Sequence, residues 1–324
     1  MLRIASITIL LAAAAAPAAA RDIFVNNRVG DDRAGGHYAV TSDRFDGPVA
    51  TIGRALAIAL PYDRIVVANT GEPYRECITM QAGRNSGQPT IPFILEGNGA
   101  VLEGSVPVPY RHWEAVGAGD PEVRSEVFRY RPKKFTYPML YLGGRPAERV
   151  PADELAKDPP ALEPLQWCMH RQWIYFRIEK EKSIADYDLT QAWHDVGITL
   201  YQVHDVIVAD LVIQGFRLDG VNCFDNARGA LLVGLTCRGN GRSGIAVDNS
   251  SSGIQIRACL LGDNGTAQLW ADGYSHTEVV ESVLLEGSAP KLHRGEHADV
   301  KIDGEQPGAN PEDTPPALPG GELN

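Results

Sequence analysis

Asp248 and Asp272 stand at a sequence spacing of 24, each closing a short apolar run (IAVD and LWAD). If those runs are strands stacked in register, the two carboxylates lie about 5 Å from each other. Two carboxylates at that distance can share a proton and divide acid and base roles, or hold Ca²⁺ through oxygen ligands. They also approach the separation of a retaining glycosidase pair. Trp270 beside them offers an apolar ring face for a sugar, and Arg242 lies shortly before Asp248, where it could bind an acid or act as a base. Asn222, Asp219 and Arg294 extend the candidate set as substrate-binding groups.

Two other motifs carry chemistry on paper. GNGRSG, from Gly239 to Gly244, matches G-x-G-x-x-G, which holds a pyrophosphate only when a strand feeds it and a helix succeeds it. The glycines lead instead into IAVDNSSSG, a strand and a turn, so no nucleotide is expected. HRGEH, from His293 to His297, matches H-x-x-E-H, a zinc signature that needs a helix to present both histidines. Gly295 disfavours that helix, and a 24-residue period puts His293 in the column of Val221, so an irregular solvated coil is expected.

That period organises the second half of the chain. Val208, Leu232, Ile256 and Val280 recur at a constant spacing of 24, as do Leu211, Leu235, Cys259 and Val283, and Ile213, Cys237, Leu261 and Leu285. Val221, Ile245 and Leu269 form a further column, with Cys223, Val247 and Ala271 beside it. Between the apolar runs stand Gly, Asn, Asp and Ser, with no room for an ordinary helix, so each repeat reads as short strands and turns. Such a coil, stacked on its neighbours, is the sequence form of a parallel β-helix; a propeller blade needs nearly twice as many residues. With the two columns from Val221 and Cys223 inside, alternation puts Asn222, Phe224, Ala246, Asp248, Trp270 and Asp272 outside, and Arg294 continues a column.

The first half supplies the start of the solenoid. TIGRALAIAL, Thr51 to Leu60, has helical apolar spacing, and Pro61 ends it, as a cap on the terminal coil requires. RIVVA and FILEG come next as strands. Residues 105–195 break the period and hold Trp113, Trp167, Trp173 and Trp193; they read as a β-rich insertion whose aromatics form its own small core.

DIFVNNRVGDD, PVATIGRALAIAL, DRIVVANTGEPYRECI and then the 24-residue coils together resemble the right-handed parallel β-helix proteins of the pectin lyase-like superfamily, over Asp22 to about Gly304. The resemblance implies an all-β, single-stranded right-handed parallel β-helix with an N-terminal capping helix, and a substrate groove on the outward strand face just described. It covers lyases, hydrolases and epimerases, so fold does not decide activity. Against polygalacturonases, Asp219-Gly220-Val221 resembles the first acidic site, but Arg242-Ser243 stands where a paired Asp is needed, and Thr266-Ala267-Gln268 where Gly-His-Gly is needed.

Composition bounds the partners. The net charge of −11 argues against nucleic acid and lets an anionic glycan in only through a local basic patch or a bridging cation. The five cysteines lack C-x-x-C pairs, and Cys237 and Cys259, two residues out of register on neighbouring coils, would lie about 8 Å apart, beyond disulfide reach. MLRIASITILLAAAAAPAAA reads as a cleaved signal over residues 1–20, with no later membrane span. Residues 21–303 form the β-helix domain, and the proline-rich stretch 304–324 is expected to be disordered. The expectation is a secreted or periplasmic monomer acting on a polysaccharide or oligosaccharide, by lyase-type β-elimination, with Asp248, Asp272 and Arg242 catalytic and Ca²⁺ at the two aspartates. A glycoside hydrolase on the same groove and a non-catalytic envelope solenoid are the alternatives.

Overall fold

The computed structural model describes residues 20–41, 46–117, 125–287, 289–305 and 307. Nearly all of the signal-like segment, and the stretch from residue 308 on, lie outside them.

Two parallel sheets wrap one core. The longer runs through Asp22–Val25, Arg64–Val67, Phe93–Glu103, His204–Gln214, Arg228–Val233, Ile254–Arg257, His276–Val280 and Asp299–Ile302, with Thr236–Arg238, Leu260–Gly262 and Val283–Leu284 continuing it around a bend. The second consists of Ile78–Gln81, Ile198–Tyr201, Asp219–Phe224, Ser243–Val247, Ala267–Ala271 and Leu292–Arg294. In the long sheet Val208 pairs with Leu232 and Leu232 with Ile256; in the second, Val221 pairs with Ile245 and Ile245 with Leu269. All of these side chains are fully buried, because alternation points every second residue of each strand at the axis. This is a single-stranded right-handed parallel β-helix. Its first coil is covered by the helix Ile52–Ile58, capped by the Thr51 hydroxyl, which accepts the Arg54 N–H at 3.0 Å.

The period is not uniform. The step from Ile198 to its partner Val221 is 23, the next two steps are 24, and the step from Leu269 to Leu292 is again 23. The turn after Ala271 has no counterpart of Gly253, so Ile254 faces Thr277 and Ile256 faces Val279. The last members of the expected columns therefore shift by one. Val279, not Val280, is buried, and Leu261 pairs with Leu284, while Val283 and Leu285 are exposed. His293 leaves the Val221 column and points outward on the Trp270 rung, and Arg294, expected there, moves to the rung of Ala271.

Between Ser105 and Ala192 the chain forms two four-stranded antiparallel sheets. Trp113, Tyr130, Trp167 and Phe176 fill their common core, with the rings of Trp113 and Tyr130 4.7 Å apart, so these aromatics pack the insertion. The insertion sits on the GNGRSG turn. The Tyr141 hydroxyl donates to the Gly239 carbonyl, and a Cβ at Gly241 would come within 2.3 Å of the carbonyl oxygens of Arg217 and Tyr137. The glycines thus permit close approach of three backbones in a turn that leads into the strand Ser243–Val247. All five cysteines are free, Cys237 and Cys259 both buried.

Candidate functional site on the short-sheet face

Where the chain turns into the second sheet, Asp219 and Ser243 are register partners. Asp219 is completely buried, and its carboxylate is enclosed by donors. Arg242, in the turn just before Ser243, gives a two-pronged contact, Nε to Oδ1 at 2.9 Å and Nη2 to Oδ2 at 2.6 Å. The Ser243 hydroxyl donates to Oδ1 at 2.7 Å. A buried carboxylate persists only with such pairing. Asp219 is therefore the anchor of Arg242 and out of reach of a substrate, contrary to the expectation that it binds one.

The same guanidinium extends along the face. Its Nη2 lies 3.3 Å from Oδ2 of Asp248, and its carbon is 5.2 Å from the Trp270 ring centre. The Asn222 amide donates to both carboxylates, at 3.3 Å to Asp219 and 3.2 Å to Asp248. Its own Oδ1 is buried and has no hydrogen-bond partner among the described residues. Ala246 lies between Asn222 and Trp270 in the ladder and is fully buried although it points outward; its small side chain leaves the room that the arginine crosses. Asn222, Arg242, Asp248 and Trp270 thus share one site, as the 24-residue register implies.

Electrostatics separate their roles. Burial works against the charge of Arg242, but the ion pairs with Asp219 and Asp248 outweigh it and raise its pKa above that of an ordinary arginine. Such a guanidinium stays protonated, which removes it as a general base. Burial likewise disfavours the charged form of Asp248, and the neighbouring Asp219 carboxylate adds to it; Arg242 and Asn222 oppose both, and the net shift is upward from 3.8. Asp248 is the one carboxylate of this cluster that reaches solvent, with 13% of its side chain exposed.

Asp272 stands on the next rung, exposed, and its Oδ1 accepts the Gly273 N–H at 2.7 Å. One oxygen thus caps its own turn. Among the described residues no three His, Cys, Asp or Glu side chains converge on a point. A calcium ion between Asp248 and Asp272 would find two carboxylates and would compete with Arg242 for one, fewer oxygens than the roughly six to eight this cation takes. Arg294 is turned away, its Nη1 donating to the Pro307 carbonyl at 3.3 Å.

Aromatic residues that the 24-residue columns do not show complete the face. The His293 ring stacks on Trp270 with centroids 3.6 Å apart, His297 on Tyr274 at 4.9 Å, and Tyr201 on Phe224 at 6.2 Å. The members of each pair stand at a sequence spacing of 23, the signal that a search at 24 passes over. Tyr274 is 64% exposed, and Tyr201 and Phe224 also show a face to solvent. The two histidines of HRGEH stand on a strand and in the turn after it, each against a different ring, so they do not converge on a metal.

No family profile matches the chain, and no curated protein is similar enough to pair with it. Among solved structures, one described as a glycoside hydrolase superposes with a TM-score of 0.62 over 87% of this chain and 77% of its own, at 11% identity. The protein shares its parallel β-helix fold with that structure. The pectate lyase Pel9A matches over 81% of this chain and 53% of its own, at 10% identity and a TM-score of 0.40. A double mutant of the periplasmic alginate epimerase AlgG matches over 33% of this chain and 29% of its own, at 21% identity and a TM-score of 0.31. No helix among the described residues is long and apolar enough to cross a membrane.

Proposed function

We propose that this β-helix binds a glycan along the outward face of the short sheet and hydrolyses a glycosidic bond, with Asp248 as the proton donor. The observation that carries the reading is Asp248 itself. It is a partly buried carboxyl with a raised pKa, opening beside the stacked rings of Trp270 and His293. A carboxyl whose burial makes it hold its proton more tightly than a free aspartic acid suits a general acid, and ring faces are what sugars pack on.

The roles divide along the ladder. The protonated Asp248 gives its proton to the glycosidic oxygen as the bond from the anomeric carbon to that oxygen breaks, its electron pair leaving with the oxygen. The Asp272 carboxylate, on the next rung, attacks the anomeric carbon to form a glycosyl ester. Water, deprotonated by Asp248, then displaces it. Rungs of about 4.8 Å suit the carboxyl separation of this double displacement, about 5–5.5 Å. Arg242 holds Asp248 in place, and the Asn222 amide donates to the same carboxyl. Elimination, the expectation from sequence, is disfavoured because it assigns the base to Arg242, which is committed to Asp219. The glycoside hydrolase of the same fold supports hydrolysis by analogy, and the signal-like N-terminal segment supports action after export.

The test is a panel of neutral and uronate-containing glycans, reading new reducing ends and unsaturated ends separately. Reducing ends without unsaturated ends are expected, with Asp248→Asn slower by about 10²–10⁴. Unsaturated products, binding without any product, or full activity in Asp248→Asn each overturn the proposal.

A further inference from the structure

A second cleft lies on the far side of the GNGRSG turn, between the insertion and the coils, with a volume of about 890 Å³. That is within the roughly 300–1,000 Å³ of small-molecule sites. None of Asp219, Asn222, Arg242, Asp248 or Trp270 lines it. Its walls bring Arg145 and Arg149 of the insertion to Arg238 of the coils, together with Glu103, Glu148 and Asp263.

The arginines and carboxylates share this cleft without pairing. Elsewhere the chain matches Arg21, Arg64, Arg129, Arg177, Arg217 and Arg242 with carboxylates, yet among the described residues none of Arg145, Arg149 and Arg238 forms an ion pair. Several of these groups are held elsewhere. Glu103 accepts the Ser105 N–H and the Gln214 amide, both at 2.8 Å. Gln214 in turn accepts Nε of Arg238 at 2.8 Å, which fixes that arginine while its two terminal nitrogens have no hydrogen-bond partner among the described residues. Glu148 accepts the Gln166 amide at 2.8 Å. Arg149 lies over the Trp167 ring, 5.2 Å from its centre.

We infer that this cleft is a binding site for a carboxylated sugar, separate from the strand face. Guanidinium groups whose terminal donors are open accept a carboxylate in the two-pronged geometry that gives both strength and orientation. Asp263 and the second oxygen of Glu148 are acceptors for sugar hydroxyls. A neutral sugar would leave the arginines unmatched, and a simple anion would leave the acceptors unmatched. In a chain of net charge −11, this is the local basic surface through which an acidic glycan end can be held.

Titration calorimetry with three probes tests it: sodium glucuronate, the methyl ester of glucuronate, and sodium lactate. Glucuronate should bind saturably at one site, with the ester and lactate each at least tenfold weaker. Arg149→Ala/Arg238→Ala should weaken glucuronate at least tenfold, and the exposed single variant Arg145→Ala should weaken it severalfold with an unchanged melting temperature. Asp248→Asn should bind glucuronate like the parent, so failure of the hydrolysis reading leaves this outcome untouched. Equal binding of the ester, equal binding of lactate, no saturable binding, or folded arginine variants with parental affinity each overturn the inference.

Discussion

Replacing Arg242 with Met tests whether the Asp219 pair is structural. The substitution keeps most of the side-chain volume but leaves Asp219, completely buried, without contacts at 2.9 and 2.6 Å. The Ser243 hydroxyl at 2.7 Å and the weaker Asn222 amide at 3.3 Å remain. Removing one partner of a buried pair costs about 3–5 kcal/mol, and the two surviving hydrogen bonds place this case near the lower end. With a denaturant slope of about 3 kcal/mol per molar, the urea midpoint should fall by about 1 M. In a solenoid each coil leans on its neighbours, so hydrogen exchange should quicken first in Asp219–Phe224 and Ser243–Val247. Adding Asp219→Asn removes the stranded charge, so the double variant should recover at least half of the loss. A single variant within about 1 kcal/mol of the parent, well under the cost of a stranded buried charge, or a double variant no better than the single, would refute the reasoning.

Further outcomes rest on the same face and turn. The native state binds the Asp248 proton more tightly than the unfolded chain does, since its pKa is raised above 3.8. The stability this gives is therefore full below about pH 4 and is lost as pH rises through the native pKa. Asp248→Asn, which cannot ionise, should melt higher than the parent at neutral pH, and the difference should close on acidification even though hydrolysis is slowed. Trp270→Ala removes the ring that His293 and Arg242 pack against and should weaken glycan binding about tenfold, or about 1.4 kcal/mol, measured by KM or direct titration with the fold intact. Gly241→Ala puts a methyl group 2.3 Å from two carbonyl oxygens and should cost about 1–3 kcal/mol by overpacking. Limited proteolysis should then cut the insertion sooner than the coils.

The solenoid is legible in the sequence because burial repeats with the chain. Any apolar column that must stack on itself shows up as a fixed spacing, and the columns from Val221 and Cys223 run through the paired residues Ile245, Leu269, Val247 and Ala271. The site is legible only in part, for a local reason. A strand ladder converts sequence spacing into contact only while every coil has the same length, and one residue fewer after Ala271 turns each later side chain to the other face. Hence a fixed period puts Arg294 where His293 stands. The role of Arg242 is hidden for another reason: an outward neighbour cannot be told from an ion-pair partner without knowing that Asp219, at the strand start, is sealed from water. The ladder from Asn264 to Asn240 is also present in the spacing of 24. The Asn264 side-chain oxygen accepts the Asn240 N–H at 2.9 Å inside the turn, yet asparagine in a turn has so many uses that spacing alone does not single it out.

The turn from Gly239 to Gly244 does more than join two strands. Its glycines let the insertion come down on the coil, through Tyr141 on Gly239 and the Tyr137 carbonyl beside Gly241. That contact divides the surface. On one side Arg242 leaves the turn toward Asp219, Asp248 and Trp270; on the other Arg238, just before the turn, faces the cleft walled by Arg145 and Arg149. Two arginines one short turn apart are thereby given opposite circumstances, one buried against carboxylates and one with its terminal donors open. The first fixes Asp219 and Asp248 in place while drawing the Asp248 pKa down against the effect of burial; the second is, on the inference drawn from the cleft, a receptor for a carboxylate. A chain that engaged a long acidic glycan at both places would have to carry it across this turn, so lengthening the turn by one residue, which shifts both the seat of the insertion and Arg242, should weaken glucuronate binding in the cleft and disrupt the Asp248 face together.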